Sequence, residues 1–241
     1  MSVYAGPEIV SDSSLVLSLD AANIKSYPGS GTTWTDISGN GNNATLTDAP
    51  TFSTNNKGYF NFNGSTNLVS LGASNIFNFG TGNFTIEAWF WLDSTASPNR
   101  GDNLKTVTIF DCGASVSNAT AFSIGGSSSS VGTNVEYYQT TPSYAANLSY
   151  NISANKWHHI IWQRNSTSIN GFVDGVSLTP AVISAGTTLG GNNTAYIGQS
   201  KITSYKNQFK GYISVIRLYN RAITTAEIQQ NFNAHRGRYG I

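Results

Sequence analysis

Short stretches of alternating apolar residues, each cut off by a cluster of Gly, Asn, Ser or Thr, restrict this chain to a fold built of strands. The clearest is residues 84–92. Phe84, Ile86, Ala88, Phe90 and Leu92 fall on one face at period two, and Thr85, Glu87, Trp89 and Trp91 on the other. Bulk on both faces predicts a central strand covered on both sides. Leu15, Leu17 and Leu19 alternate as a half-buried strand, and Phe60 and Phe62 share a face. Residues 106–110, 121–124, 135–138, 157–164, 169–173, 196–198 and 211–219 read as further strands. Runs such as Pro28-Gly29-Ser30-Gly31 and Ser38-Gly39-Asn40-Gly41-Asn42 punctuate them, and Asp174-Gly175 is a two-residue hairpin signal. Many short strands at fairly even spacing predict an all-β sandwich or barrel, and the lack of a fixed-period repeat disfavours a propeller or solenoid.

One helix is predicted near the end. Thr224-Thr225-Ala226-Glu227 is a capping box, with Ile223 and Ile228 placed as a hydrophobic staple. Ile228 and Phe232 share a face, and Gly237 is a stop. The domain reading is therefore an arm or edge strand over residues 1–14, a sandwich over 15–235 and a tail over 236–241. Arg236 and Arg238 are expected to be solvated in that tail.

The surface must be polar without being charged. Of 241 residues only 10% are charged, against roughly 25% in soluble domains, and the net charge is +1. No basic cluster suits a nucleic-acid partner. The single cysteine, Cys112, precludes an intrachain disulfide and a cysteine-rich zinc site, and reads as a buried small side chain. No apolar run is long enough to span a bilayer. Residues 1–10 lack the pattern of a signal peptide, so synthesis in a cytoplasm without export is expected.

Four stretches, in order, carry a resemblance. They are Asp36-Ile37-Ser38-Gly39-Asn40-Gly41-Asn42-Asn43-Ala44; Phe84-Thr85-Ile86-Glu87-Ala88-Trp89; Trp157-His158-His159-Ile160 with Phe172-Val173-Asp174-Gly175; and Phe209-Lys210-Gly211-Tyr212-Ile213 running to Arg217-Leu218-Tyr219-Asn220-Arg221-Ala222-Ile223. Together they resemble the laminin-G-like jelly-roll family of the concanavalin A-like lectin/glucanase superfamily, over residues 15–232. The resemblance implies a two-sheet antiparallel jelly-roll sandwich with one short C-terminal helix. The chain departs from the family at Ser214-Val215, where an acidic pair is common. Residues 6–10, 15–25 and 231–241 are also similar to stand-alone proteins encoded by tailed phages, including those of marine bacteria. That likeness implies a virion component on the particle surface, either a capsid decoration protein or a tail or fibre adhesin recognising host glycans. Its partners would be major capsid or tail proteins, with self-association through sheet edges a further expectation.

Catalysis is not expected. Glycoside hydrolysis needs two carboxylates at a set separation. The glucanases of the superfamily carry Glu-x-Asp-x-x-Glu, whereas this strand holds Glu87 alone, read as a structural carboxylate with Arg164 as one possible partner. His158 and His159 are adjacent, so on a strand they face opposite ways and cannot share a metal. Calcium is the better metal candidate. Asp36, Asn40 and Asn42 offer oxygen ligands in a Gly-rich loop, and the competing reading is a loop that satisfies its own backbone. Trp34, Tyr137, Tyr138, Tyr144 and Tyr205 lie in or near polar segments and are candidate glycan or partner contacts, the 140–151 loop foremost.

Overall fold

The computed structural model describes residues 8–72, 74–96, 106–113, 120–126, 131–139, 144–190, 194–200 and 207–241. Among these, the strands in chain order are β1 (Leu15–Asp20), β2 (Thr33–Trp34), β3 (Ala44–Thr47), β4 (Thr51–Ser53), β5 (Tyr59–Asn63), β6 (Leu68–Leu71), β7 (Phe84–Leu92), β8 (Val107–Asp111), β9 (Thr120–Gly126), β10 (Val131–Gln139), β11 (Tyr144–Ser149), β12 (Trp157–Asn165), β13 (Ser168–Val173), β14 (Val176–Ser177), β15 (Ala181–Val182), β16 (Ala195–Ile197) and β17 (Lys210–Tyr219), followed by helix α1 (Thr225–Tyr239). One sheet runs β14-β13-β12-β7-β17-β5-β4, with β1 also paired to β17 and β15 to β13. The other runs β11-β10-β9-β8-β16-β6-β3-β2. All the pairings between these strands are antiparallel.

The two sheets close on a core that includes Phe84, Ile86, Ala88, Phe90 and Leu92 from β7, and Val107, Ile109, Phe122, Ile124 and Ile197 from the facing sheet. Strand β7 is central, between β12 and β17, and its second face is covered by α1, where Trp89 packs with Trp157, Val215 and Tyr239. This is the double covering that bulk on both faces predicts. Strand β1 is buried along its whole length, not half-buried as its alternation suggests. A register shift at Leu15/Leu17 sends Leu15 to the helix side and Leu17 and Leu19 to the core.

A bulge in β17 decides which side chains lie under the helix. Ile213 pairs with Phe90 while Val215 pairs with the next residue, Trp89, so Ser214 is extra. The phase of the strand flips there. Ile213, Ile216 and Leu218 enter the core, and Val215, Arg217 and Tyr219 turn toward α1. Ser214 Oγ donates to the Gly58 carbonyl at 2.5 Å and accepts from Arg238 Nη2 at 2.7 Å. The hairpin at Asp174-Gly175 has φ of 52° and 78°, the left-handed pair that a two-residue turn of this kind demands.

The capping box forms as predicted. Gly237 does not stop the helix. The helix continues to Tyr239 and ends at Gly240, whose φ of 75° is left-handed. The anticipated tail is thus the last helical turn. Tyr239 is buried, with its ring stacked on Trp89 at 4.4 Å, and Arg238 reaches Asp20 at 3.0 Å instead of solvent. An aromatic stack of this kind outweighs the roughly 0.5–1 kcal/mol that a mid-helix glycine costs. Residues 8–14 form no strand. They pass beside the helix, where the Val10 amide donates to Asn231 Oδ1 at 2.8 Å.

Candidate functional site

The chemistry-bearing residues gather in two places, one sealed and one open. The sealed cluster lies between α1 and the outer face of the β14-to-β4 sheet. Arg217 and Glu87 sit directly opposite on β17 and β7, and Arg217 Nη1 donates to Glu87 Oε1 at 2.8 Å. The other carboxylate oxygen accepts from Asn231 Nδ2 of α1 at 2.7 Å, and His159 Nε2 of β12 stands 3.2 Å from Oε1. Glu87 has no exposed surface. Burial alone would raise its carboxyl, but the Arg217 guanidinium and His159 overcome that and bring it down to about 2.

The partner of Glu87 is therefore Arg217, not Arg164. Arg164 donates to the carbonyls of Ser166, Gly80 and Thr187, away from any carboxylate. The 130-residue separation of Glu87 and Arg217, and the bulge that orients Arg217, hide the pair from sequence reasoning. Asn231 was likewise missed. Besides Glu87, its amide meets Tyr219 Oη at 2.9 Å, so one side chain ties sheet, helix and arm together. Its one sequence signal is a small amide on the same helical face as Ile228.

The open site is a cleft of 580 Å³ beside α1, lined by Asp20, Asn23, Lys57, Asn233, His235 and Arg238 among others. Asp20 holds Arg238 Nη1 through both oxygens, at 3.0 and 3.1 Å. Burial works against the Asp20 charge, yet His235, whose Nε2 stands 3.6 Å from Oδ2, and the guanidiniums of Arg238 and Arg217 hold the carboxyl well below the usual range. Arg217 Nη2 lies 3.1 Å from His235 Nε2. A guanidinium has no acceptor, so Nε2 accepts and the imidazole is neutral with its proton on Nδ1. Burial and then the Arg217 charge lower the His235 pKa; Asp20 works in the opposite direction, Arg238 adds to the lowering, and the net shift is downward.

The predicted calcium residues are engaged with their own loop. Asp36 accepts from the amides of Ser18 at 2.9 Å, Ser38 at 2.9 Å and Asn42 at 3.0 Å, and from Ser38 Oγ at 2.9 Å. Asn40 and Asn42 turn their NH₂ groups to the Leu15 and Val16 carbonyls, at 3.1 and 2.9 Å. A carboxylate filled with N–H and O–H donors does not fit a cation, and the Asx-turn reading describes this loop. Among the described residues no group of three His, Cys, Asp or Glu is placed to hold a metal.

Trp34 is not a surface aromatic. It is fully buried and packs edge-on to Phe60 at 4.8 Å. Tyr137 is also in the core, against Phe122 at 5.2 Å. The polarity of the neighbouring residues misled here, because a strand in a sandwich alternates polar and buried positions. Tyr138 lies on β10 and Tyr144 begins β11, with their side chains outside the described set, and Tyr205 lies outside the described residues. His158 and His159 point to opposite faces as expected: His158 meets Asp174 Oδ2 at 2.8 Å, and His159 lies under the helix against Trp89. No described helix is long and apolar enough to cross a membrane.

The family Laminin_G_3, described as concanavalin A-like lectin/glucanases superfamily, matches residues 63–229. Curated protein sequences give no match. Among solved structures, domain 4 of AbnA, a GH43 extracellular arabinanase from Geobacillus stearothermophilus in complex with arabinotriose, has a TM-score of 0.66 at 16% identity, covering 91% of this chain and 98% of that one. The botulinum neurotoxin serotype G binding domain gives 0.65 at 16% identity, covering 90% of this chain and 50% of that one. A Trypanosoma rangeli sialidase in complex with the inhibitor DANA gives 0.62 at 17%, covering 96% of this chain but only 35% of that one. At these identities the likeness is one of fold.

Proposed function

The chain belongs to the laminin-G-like branch of the concanavalin A-like lectin/glucanases superfamily, and from that premise we propose that it is a non-catalytic surface protein of a tailed-phage virion, with capsid decoration as its first role. The observation that carries the non-catalytic half is the state of Glu87. The one acid on the strand where the glucanases of the superfamily hold theirs has no exposed surface and is tied to Arg217, Asn231 and His159. Among the described residues no second carboxylate contacts it, and a lone buried acid does not supply the pair that glycoside hydrolysis uses. The virion half rests on the similarity of residues 6–10, 15–25 and 231–241 to stand-alone phage proteins. On this reading the protein is made in the host cytoplasm and assembles onto the particle surface against shell or tail proteins. The test is density-gradient purification of particles from the producing phage. The chain is expected to band with intact particles at a fixed ratio to the shell protein, and its absence from washed particles would sink the reading.

A second reading is carbohydrate binding, as an adhesin at the tail or fibre. What favours it is domain 4 of the arabinanase, a module of nearly the same extent that holds arabinotriose. The two readings are compatible, since a decoration protein that binds sugar would hold the particle near glycan-coated cells.

A further inference from the structure

We infer that a cleft at one end of the sandwich, ringed by Asn75, Asn78, Asn83 and Asn220, is a binding site for a neutral saccharide. This deepens the carbohydrate-binding reading and rests on it. The cleft encloses 370 Å³ between the 3-10 turn Asn75–Phe77, the loop before β7, and the adjoining ends of β1 and β17. Ligand sites for small molecules begin at about this size, with a mostly apolar floor and a few polar groups to fix orientation.

The floor includes Ile76 and Phe79, both half-buried. The Phe79 ring is stacked on Phe84 at 4.1 Å and 21°, so it is held in place before any ligand arrives. An apolar, partly aromatic floor suits the C–H face of a sugar ring. The rim is made of amides. Asn75, Asn78 and Asn220 are exposed, and among the described residues their side chains make no hydrogen bond within the protein. Asn83 accepts the Ser166 amide at 2.8 Å through Oδ1, which leaves its NH₂ group. The asparagines of the 36–43 loop behave differently: Asn40, Asn42 and Asn43 all engage backbone groups. A carboxamide both donates and accepts, as a sugar hydroxyl does. Among the described residues no charged side chain lines the cleft, so none of them would compensate a carboxylate or phosphate on the ligand.

The test is an array of neutral and sialylated oligosaccharides, followed by titration of the strongest hit with the wild-type chain and with Asn78→Ala, Asn220→Ala and the double variant. Asn61→Ala, at an exposed position on β5, is the control. Exposed, unbonded amides can be removed without unfolding, and superimposable melting curves verify this. The expected hit is neutral. Each single variant should weaken binding about fivefold or more and the double about tenfold or more, with Asn61→Ala unchanged. Wild-type affinity in all cleft variants would overturn the site while leaving carbohydrate binding standing. A preference confined to sialylated glycans would overturn the ligand class. Absence of any hit would remove both the site and the carbohydrate reading, and would leave banding with particles untouched.

Discussion

At the scale of single residues, the charges under α1 set how the protein responds to pH. Glu87 is matched by Arg217 without solvent, and breaking such a pair from one side is costly. Glu87→Gln should lower the unfolding free energy by about 3 kcal/mol or more, measured by urea denaturation at pH 7. A change near zero would mean that the pair is not sealed as described. His235 is neutral in the folded protein with its pKa below the ordinary 6.5. The unfolded chain therefore binds the extra proton first. Stability is fully present above pH 6.5 and declines as the pH falls below it. Protonation would bury a cation beside Arg217 and Arg238, and that outweighs the pull of the Asp20 and Glu87 carboxylates. The held-down carboxyls act lower: Glu87 and Glu227 lie at about 2, from 4.5, so their contribution is lost as the pH falls from the ordinary carboxyl range toward 2. Two steps are thus expected in a plot of denaturation midpoint against pH. His235→Gln should flatten the one between pH 7 and 5 and leave the acid one. A wild-type midpoint that stays level from 7 to 5 would contradict the neutral imidazole.

At the scale of elements, α1 carries the outer face of the sheet. Thr224→Ala removes the cap and should cost about 1 kcal/mol. Deleting residues 236–241 is the sharper comparison. A solvated tail would cost nothing, whereas loss of Tyr239 and Arg238 uncovers Trp89 and Asp20 and should cost several kcal/mol, read from the melting curve. How far these elements were legible depends on the range of the interactions that make them. Strand β7, the Asp174-Gly175 hairpin and the Thr224 cap are set by local period and local hydrogen bonds, and all three are read from the sequence. The helix end is not, because Trp89, 150 positions earlier, holds the last turn past Gly237. Nor is the inward turn of Trp34, which the ring of Phe60 fixes, or the orientation of Arg217, which depends on one extra residue in β17. Asp36 was legible as a loop anchor, while the identity of its donors was not. The asparagine cleft escaped notice because its rim comes from the turn after β6, the start of β7 and the end of β17, which only the folded sheets bring together.

At the scale of the whole molecule, a sandwich with few charges, a helix sealed over Glu87 and a cleft rimmed by asparagines are, under the proposed function, the features of a molecule that holds a surface and does not turn over a substrate. The measurement that meets this most directly is the absolute copy number of the chain in purified particles of the producing phage, relative to the major shell protein. Copies in the hundreds are predicted, which corresponds to decoration of the capsid. About a dozen copies would move the protein to the tail and put glycan recognition first. None at all would contradict the assignment to the virion.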